Sequence, residues 1–156
     1  MNRTIESVLR FVNLTTAGLL AGSLGFGEAA LVPGWQHELS RDDLNDAMQT
    51  AYFNAIGPLA LGSAVTLAIA ARSGNVTQRM LDAAAALGLA GVLATTVMVT
   101  VPINKELEAQ PATDYASDRS QSLVRNWGRA HAVRTGLGVG AFICAVASNL
   151  AKKTRD

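Results

Sequence analysis

The chain has 156 residues, enough for one domain, and 49% of them are hydrophobic while only 16% are charged. Soluble proteins carry roughly 25% charged residues, so this balance indicates a protein embedded in lipid. The net charge of +1 comes without a basic stripe, which argues against a nucleic-acid-binding face. Cys144 is the only cysteine and lies in an apolar segment, which excludes an intramolecular disulfide and a cysteine-based zinc site.

Four long apolar segments follow one another along the chain. A helix needs about 20 apolar residues to cross a bilayer core of roughly 30 Å. The segments that qualify are approximately Val8–Val32, Ala51–Ala71, Met80–Ile103 and Ala130–Ala151. The alternative is a water-soluble bundle, but Gly57–Ala71 lacks the polar face that a surface helix needs. We therefore predict an all-α fold, a bundle of four transmembrane helices that forms a single domain over residues 1–156.

Lysine and arginine residues near the span ends predict the orientation. The two terminal segments and the short turn after the second span carry Arg3, Arg10, Arg72, Arg79, Lys152, Lys153 and Arg155. The longer loops at the opposite end carry Arg41, Lys105, Arg119, Arg125 and Arg129. Seven positive residues against five place both termini in the cytoplasm by the positive-inside rule. We expect the protein in the cytoplasmic membrane of a bacterium, with its polar site near the opposite surface.

Glycines four residues apart occur in the first and last spans. These pairs are Gly18 with Gly22 and Gly136 with Gly140. Small residues at this spacing let helices approach closely in lipid, where no hydrophobic effect drives their association. We expect such faces to pack the bundle, and they also permit a homo-oligomer.

Polar residues gather at the span ends away from the termini. They are Glu28, Tyr52, Asn54, Asn104, Trp127, His131 and Arg134. Trp127, His131 and Arg134 are spaced i, i+4 and i+7, so they fall on one stripe of the fourth helix. Charged side chains in a bilayer usually face a cavity or pair with each other, which makes Glu28 and Arg134 natural partners. We expect all the ionisable groups to share a single recess at this end.

Each of these residues also has a purely structural interpretation. Arg134 could snorkel to the headgroups, and Glu28 could be a buried counter-ion without chemistry. Trp127 is typical of an interfacial belt, and Asn104 could only cap a helix that ends at Pro102. A single histidine near an interface is often a hydrogen-bonded structural group, so His131 alone does not decide the function.

A metal site is a further possibility. Glu28, His37 and His131 offer carboxylate and imidazole ligands that suit zinc, iron or copper. No pair among them has a ligand spacing such as His-x-x-x-His. A metal-binding enzyme therefore remains an alternative, and we predict no metal ligand.

Two stretches carry a resemblance to a known family. The first is Val101-Pro102-Ile103-Asn104 with Leu107, and the second is Trp127 with His131-Ala132-Val133-Arg134-Thr135. A weaker similarity runs from Ala47-Met48-Gln49 to Asn54 and Pro58, with Pro33 after the first span. On these residues the chain resembles the anthrone oxygenase-like family of small four-span membrane proteins.

The resemblance implies that molecular oxygen converts an anthrone, a tricyclic phenolic ketone, into an anthraquinone without a metal or flavin. It implies His131 as the base, because histidine is the commonest general base, and Arg134 and Asn104 as stabilisers of the enolate oxygen. Trp127 and Tyr52 would stack on the rings, and Glu28 would orient His131 or Arg134. The partners expected are an apolar aromatic small molecule and the bilayer. The alternative is a non-enzymatic membrane protein that binds a lipid, a quinone or a partner protein.

Overall fold

The computed structural model describes residues 2–32, 47–70, 75–111 and 117–153, and within these ranges every regular element is a helix. The helices are α1 (Arg3–Phe26), α2 (Ala47–Ala70), α3 (Val76–Thr95), α4 (Val101–Glu108) and α5 (Asp118–Lys153). A π-helical turn, Gly27–Leu31, continues α1. A second, Thr96–Thr100, joins α3 to α4, so that these two helices and the turn form one rod.

Four rods in the described ranges are long and apolar enough to cross a membrane. They are Arg3–Ala29, Tyr52–Ala70, Val76–Glu108 and Asp118–Ala151. Large apolar side chains point away from the bundle on every rod, among them Phe11, Leu59, Leu87 and Ile143. Such a surface is unfavourable in water and suits lipid. The predicted all-α bundle of four membrane-length helices is confirmed, and it indicates an integral membrane protein, while the side on which the termini lie stays a prediction.

The helices extend beyond the predicted spans. α1 begins at Arg3 because the side chain of Asn2 caps it, accepting a hydrogen bond from the backbone N–H of Thr4 at 3.0 Å. α5 begins at Asp118, well before the apolar segment that starts near Ala130. Hydropathy marks the part of a helix that suits lipid, whereas the backbone hydrogen bonds continue through polar turns outside it.

Each rod packs against two neighbours. α1 lies between α2 and α5, and α3 also lies between α2 and α5, so α2 and α5 stand diagonally across the bundle. Leucine, valine and alanine fill the centre, with Leu20, Leu24, Ala60, Ala64, Leu89, Val92 and Ala141 as its buried members. Because successive rods alternate in direction, the start of α1 and the end of α5 lie at one end of the bundle, which we call the terminal end. The end of α1 and the start of α5 lie at the opposite end, which we call the loop end.

Glycines let helices approach closely at Gly18 and Gly88, but not at the predicted pair Gly136 and Gly140 in the last span. A Cβ built on Gly88 would stand 3.0 Å from the Cβ of Ala141, so this glycine lets α3 approach α5 closely. Gly18 packs against α5 in a similar way. Added Cβ atoms would meet nothing within 4 Å at Gly22, Gly136 and Gly140. The prediction that Gly136 and Gly140 pack the bundle was therefore wrong, and association of whole molecules through them stays a prediction.

Candidate active site

Trp127, His131 and Arg134 of α5 contact one another, and we call them the Trp127 cluster. The rings of Trp127 and His131 stack with their centroids 4.9 Å apart and their planes 7° from parallel. The guanidinium carbon of Arg134 lies 5.8 Å from the centroid of Trp127. His131 is 4% exposed and Arg134 is 7% exposed. These side chains therefore face the interior, and the interpretation of Arg134 as a snorkelling anchor is wrong.

Both ring nitrogens of His131 are engaged. Nδ1 lies 2.6 Å from Nη2 of Arg134, and Nε2 lies 3.1 Å from the carbonyl oxygen of Leu24. A guanidinium can only donate and a carbonyl can only accept, so Nδ1 accepts a hydrogen bond and Nε2 donates one. The arrangement specifies the neutral tautomer with its proton on Nε2. The lone pair that could take up a proton is held by Arg134.

The contact between α1 and the His131 ring depends on the backbone of α1. The carbonyl of Leu24 also accepts a hydrogen bond from Oγ1 of Thr135 at 3.3 Å. Leu24 lies just before the π-helical turn Gly27–Leu31, where the backbone hydrogen-bond pattern changes and carbonyl groups become accessible to side chains. A Cβ built on Gly27 would stand 2.8 Å from Nε2 of His131. Only glycine leaves room for the ring at that position.

Arg134 reaches across to the rod that contains α3 and α4. Its Nη1 donates to Oγ1 of Thr96 at 3.3 Å, while Nε is buried without a hydrogen-bond partner. The predicted pair with Glu28 was wrong, because no carboxylate of the described residues lies within 4.0 Å of this guanidinium. Arg134 thus carries a buried positive charge without a carboxylate of the described residues beside it.

Two buried oxygen atoms near the Trp127 cluster lack hydrogen-bond partners. They are Oε2 of Glu28 on the π-helical turn after α1 and Oγ1 of Thr100 on the turn before α4. Glu28 follows Leu24 by four residues, and Thr100 follows Thr96 by four residues. Each therefore lies about one helical turn nearer the loop end than a residue that contacts the cluster. Buried polar groups are nearly always hydrogen-bonded, so this pair is unusual.

The other two predicted site residues form no hydrogen bond with His131 or Arg134. Asn104 of α4 is half-buried, one turn beyond Thr100, and has no hydrogen bond to His131 or Arg134. Tyr52 of α2 is half-buried and makes an edge-to-face contact with Phe53, with centroids 5.4 Å apart. Because α2 stands diagonally from α5, Tyr52 lies across the bundle. Asn54, also expected at this site, is exposed.

A second polar cluster lies at the terminal end, which contradicts the expectation of a single recess. Arg10, 5% exposed, donates from both terminal nitrogens to the carboxylate of Asp82, 4% exposed, at 3.4 and 3.3 Å. The hydroxyl of Ser148 donates to Asp82, and Nε of Arg10 donates to Glu6 at 3.0 Å. We call these four residues the Arg10 cluster. The sequence did contain a signal, since Asp82 is the only charged residue of the third predicted span.

The metal interpretation depends on Glu28, His37 and His131 lying together. In the part of the chain that the structure describes, no three histidine, cysteine, aspartate or glutamate side chains come together. His37, which the metal interpretation needs, lies outside the described residues.

The sequence agrees with a known family over most of the bundle. The model of a family described as anthrone oxygenase matches residues 45–144. The chain belongs to this family. No curated protein and no solved structure matches it.

The anthrone oxygenase match includes most residues of the candidate site. It contains Tyr52, Thr96, Thr100, Asn104, Trp127, His131 and Arg134. It leaves out α1, and with it Leu24, Gly27 and Glu28. The predicted family is thus confirmed, whereas the contribution of α1 comes from the structure of this chain.

Proposed function

We propose that this anthrone oxygenase family member is a membrane-embedded oxygenase that acts on an enolisable polycyclic phenol such as an anthrone. Its co-substrate is molecular oxygen, and it uses no metal or flavin. Loss of a proton from the methylene group of an anthrone leaves an enolate with negative charge on the ketone oxygen. The enolate can pass an electron to oxygen directly, which is why this oxidation can proceed without a cofactor.

The observation that carries the proposal is the unbalanced charge of Arg134. Its guanidinium is buried and lies beside an aromatic pair, and its hydrogen-bond partners among the described residues, His131 and Thr96, are both neutral. A fixed positive charge in a site that excludes water stabilises a developing anion strongly. Enolate formation creates such an anion. A structural arginine would be expected to pair with a carboxylate, as Arg10 does with Asp82.

The remaining predicted residues have roles that follow from their side chains. Trp127 offers an aromatic surface to flat rings, and it already aligns one ring, that of His131, parallel to its own. Tyr52 would contribute a second aromatic surface from across the bundle. The amide of Asn104 would donate to the substrate oxygen. An apolar substrate can enter such a site from the surrounding lipid.

Oxygen uptake by the purified protein in detergent tests the proposal. Wild-type protein should accelerate oxygen consumption with an anthrone, and Arg134→Gln should lower kcat about 100-fold, the usual effect of removing one stabiliser of an oxyanion. Arg129→Gln, an exposed position on the same helix, is the matched control and should retain the wild-type rate. Equal rates of oxygen uptake with and without the wild-type protein would refute the proposed activity.

A binding protein without turnover is the second candidate, and the hydrogen bonds of His131 favour it. Both nitrogens of this ring are already used in holding α1 and Arg134 in place. If this role is the whole function, His131→Ala should lower stability, and neither the variant nor the wild type should consume oxygen with any enolisable phenol. Binding of a quinone to the wild type, measured by quenching of tryptophan fluorescence, would then be the remaining activity.

A further inference from the structure

Glu28 has a buried carboxyl oxygen that no hydrogen bond satisfies. Burying a polar group without a partner is unfavourable, and a carboxylate in a transmembrane helix is especially so. The same molecule contains a buried carboxylate that is fully satisfied, because Asp82 accepts hydrogen bonds from Arg10 and Ser148. Glu28 therefore has a different role from that of Asp82. A carboxyl oxygen without a partner can accept a hydrogen bond or a proton from a bound molecule.

The position of Glu28 on α1 directs it toward the interior. Ala17, Leu20 and Leu24 are buried at spacings of three and four residues and mark the inward stripe of this helix. Glu28 lies one turn after Leu24 on the π-helical turn, where the residue is half-buried and its Oε2 is fully buried. Thr100, whose hydroxyl also lacks a partner, follows Thr96 by one turn on the rod that contains α3 and α4. Both oxygens lie on helices that flank α5, about 6 Å nearer the loop end than the contacts of the Trp127 cluster.

His131 is poorly placed to act as the base itself. Its only lone pair capable of taking a proton accepts the hydrogen bond from Arg134, and its N–H is held by Leu24. Proton transfer to Nδ1 would require Arg134 to leave, and this would remove the positive charge that stabilises the enolate.

We propose that Glu28 is the base that removes the methylene proton, and that His131 is a positioning residue that holds Arg134 toward the enolate oxygen. This inference rests on the proposed function. It assigns the two tasks of the site to different helices, the proton acceptor to α1 and the anion stabiliser to α5.

The chemistry balances with molecular oxygen as the oxidant. Glu28 takes one methylene proton, and the electron pair of the broken C–H bond remains on the enolate. Transfer of one electron to oxygen and recombination form a C–O bond, and the resulting peroxide anion regains the proton from Glu28. Glu28 then removes the second methylene proton as the O–O bond breaks and hydroxide leaves, which produces the new carbonyl and, with that proton, water.

Hydrogen exchange without oxygen isolates the first step from the oxygenation. An anthrone is incubated in heavy water under argon with the detergent-solubilised full-length protein, and deuterium at the methylene carbon is followed by mass spectrometry. Wild type should accelerate the exchange above the buffer rate. The exchange rate with Glu28→Gln should be about 100-fold lower than with wild type, in the range typical of general bases. The variant should still bind the anthrone, as measured by quenching of tryptophan fluorescence.

Matched variants separate this role from folding and from bulk charge. Glu108→Gln, an exposed glutamate of α4, should exchange like wild type, and Glu28→Asp should recover part of the lost rate. If Glu28→Gln exchanged deuterium as fast as wild type, the assignment of the base would be overturned, even with normal oxygen uptake. A wild type that does not accelerate exchange would also overturn it. Exchange that depends on Glu28 without any oxygen uptake would support the base and refute the oxygenase.

Discussion

Gly27 is the point at which α1 and the ring of His131 meet, and its missing side chain has a measurable effect. In Gly27→Ala the new Cβ would stand 2.8 Å from Nε2 of a ring that is fixed by stacking and by hydrogen bonds on both nitrogens. We expect a loss of about 1–3 kcal/mol in the free energy of unfolding, as in other overpacked sites. Turnover of an anthrone should fall with it, because a displaced His131 no longer holds Arg134. Thermal unfolding in detergent and oxygen uptake measure the two effects.

The control for this substitution lies two residues earlier. A Cβ built on Gly25 meets nothing within 4 Å, so Gly25→Ala adds the same methyl group to the same helix without a clash. It should leave turnover unchanged and raise stability slightly, because alanine favours a helix more than glycine does. If both variants behave alike, the close contact of Gly27 with His131 does not limit the site.

Residue spacing predicted one part of the site and could not predict the other. The interval i, i+4, i+7 brought Trp127, His131 and Arg134 together, since helical periodicity fixes which side chains share a face. The partners on other helices depend on how those helices are rotated and on two π-helical turns. For this reason the predicted pair of Glu28 with Arg134 is absent from the structure. The acceptor for His131 is the backbone carbonyl of Leu24. Every residue has such a carbonyl, so the sequence does not distinguish this position.

At the scale of helices, the Arg10 cluster ties α1, α3 and α5 together at the terminal end. Asp82→Ala would leave the guanidinium of Arg10 buried with only Ser148 and Glu6 as partners. Breaking a buried ion pair by removing one member typically costs about 3–5 kcal/mol, and we expect that loss in the free energy of unfolding. Denaturant unfolding of the detergent-solubilised protein measures it.

Two further variants test the reason for that loss. Arg79→Ala removes an exposed charge from the same helix and should have little effect. Arg10→Met combined with Asp82→Leu removes both charges and should recover most of the stability, because an apolar pair avoids the uncompensated charge. An Asp82→Ala variant as stable as Arg79→Ala would mean that the cluster is not a structural tie.

Hydropathy predicted the number and order of the rods but not their internal geometry. Apolar length is what a bilayer requires, so the four spans were recognisable from composition. The helix ends lie in polar sequence, and α5 continues outward from Ala130 to Asp118 without an apolar signal. The turns at Gly27–Leu31 and Thr96–Thr100 lie within apolar sequence that a regular α-helix would fit equally well.

The orientation of the whole molecule decides which side of the membrane the candidate active site faces. The excess of lysine and arginine at the terminal end predicts that both termini are cytoplasmic. Green fluorescent protein fused after Asp156 should therefore fluoresce, and alkaline phosphatase fused at the same position should be inactive. Phosphatase inserted between residues 33 and 46 should be active. The reverse pattern of the three reporters would place the candidate active site on the cytoplasmic side.

The π-helical turn Thr96–Thr100 makes the rod from Val76 to Glu108 sensitive to its length. Such a turn accommodates one extra residue within a helix, and each residue turns an α-helix by about 100°. If one of the exposed residues Val97 or Met98 were deleted, the turn would become a regular α-helix, and the residues on either side would keep their orientation. A deletion in the regular helix before the turn would instead rotate Thr96 by that angle relative to the start of the rod and remove its bond to Arg134. Natural length variation in this rod is therefore expected within the turn and not in α3.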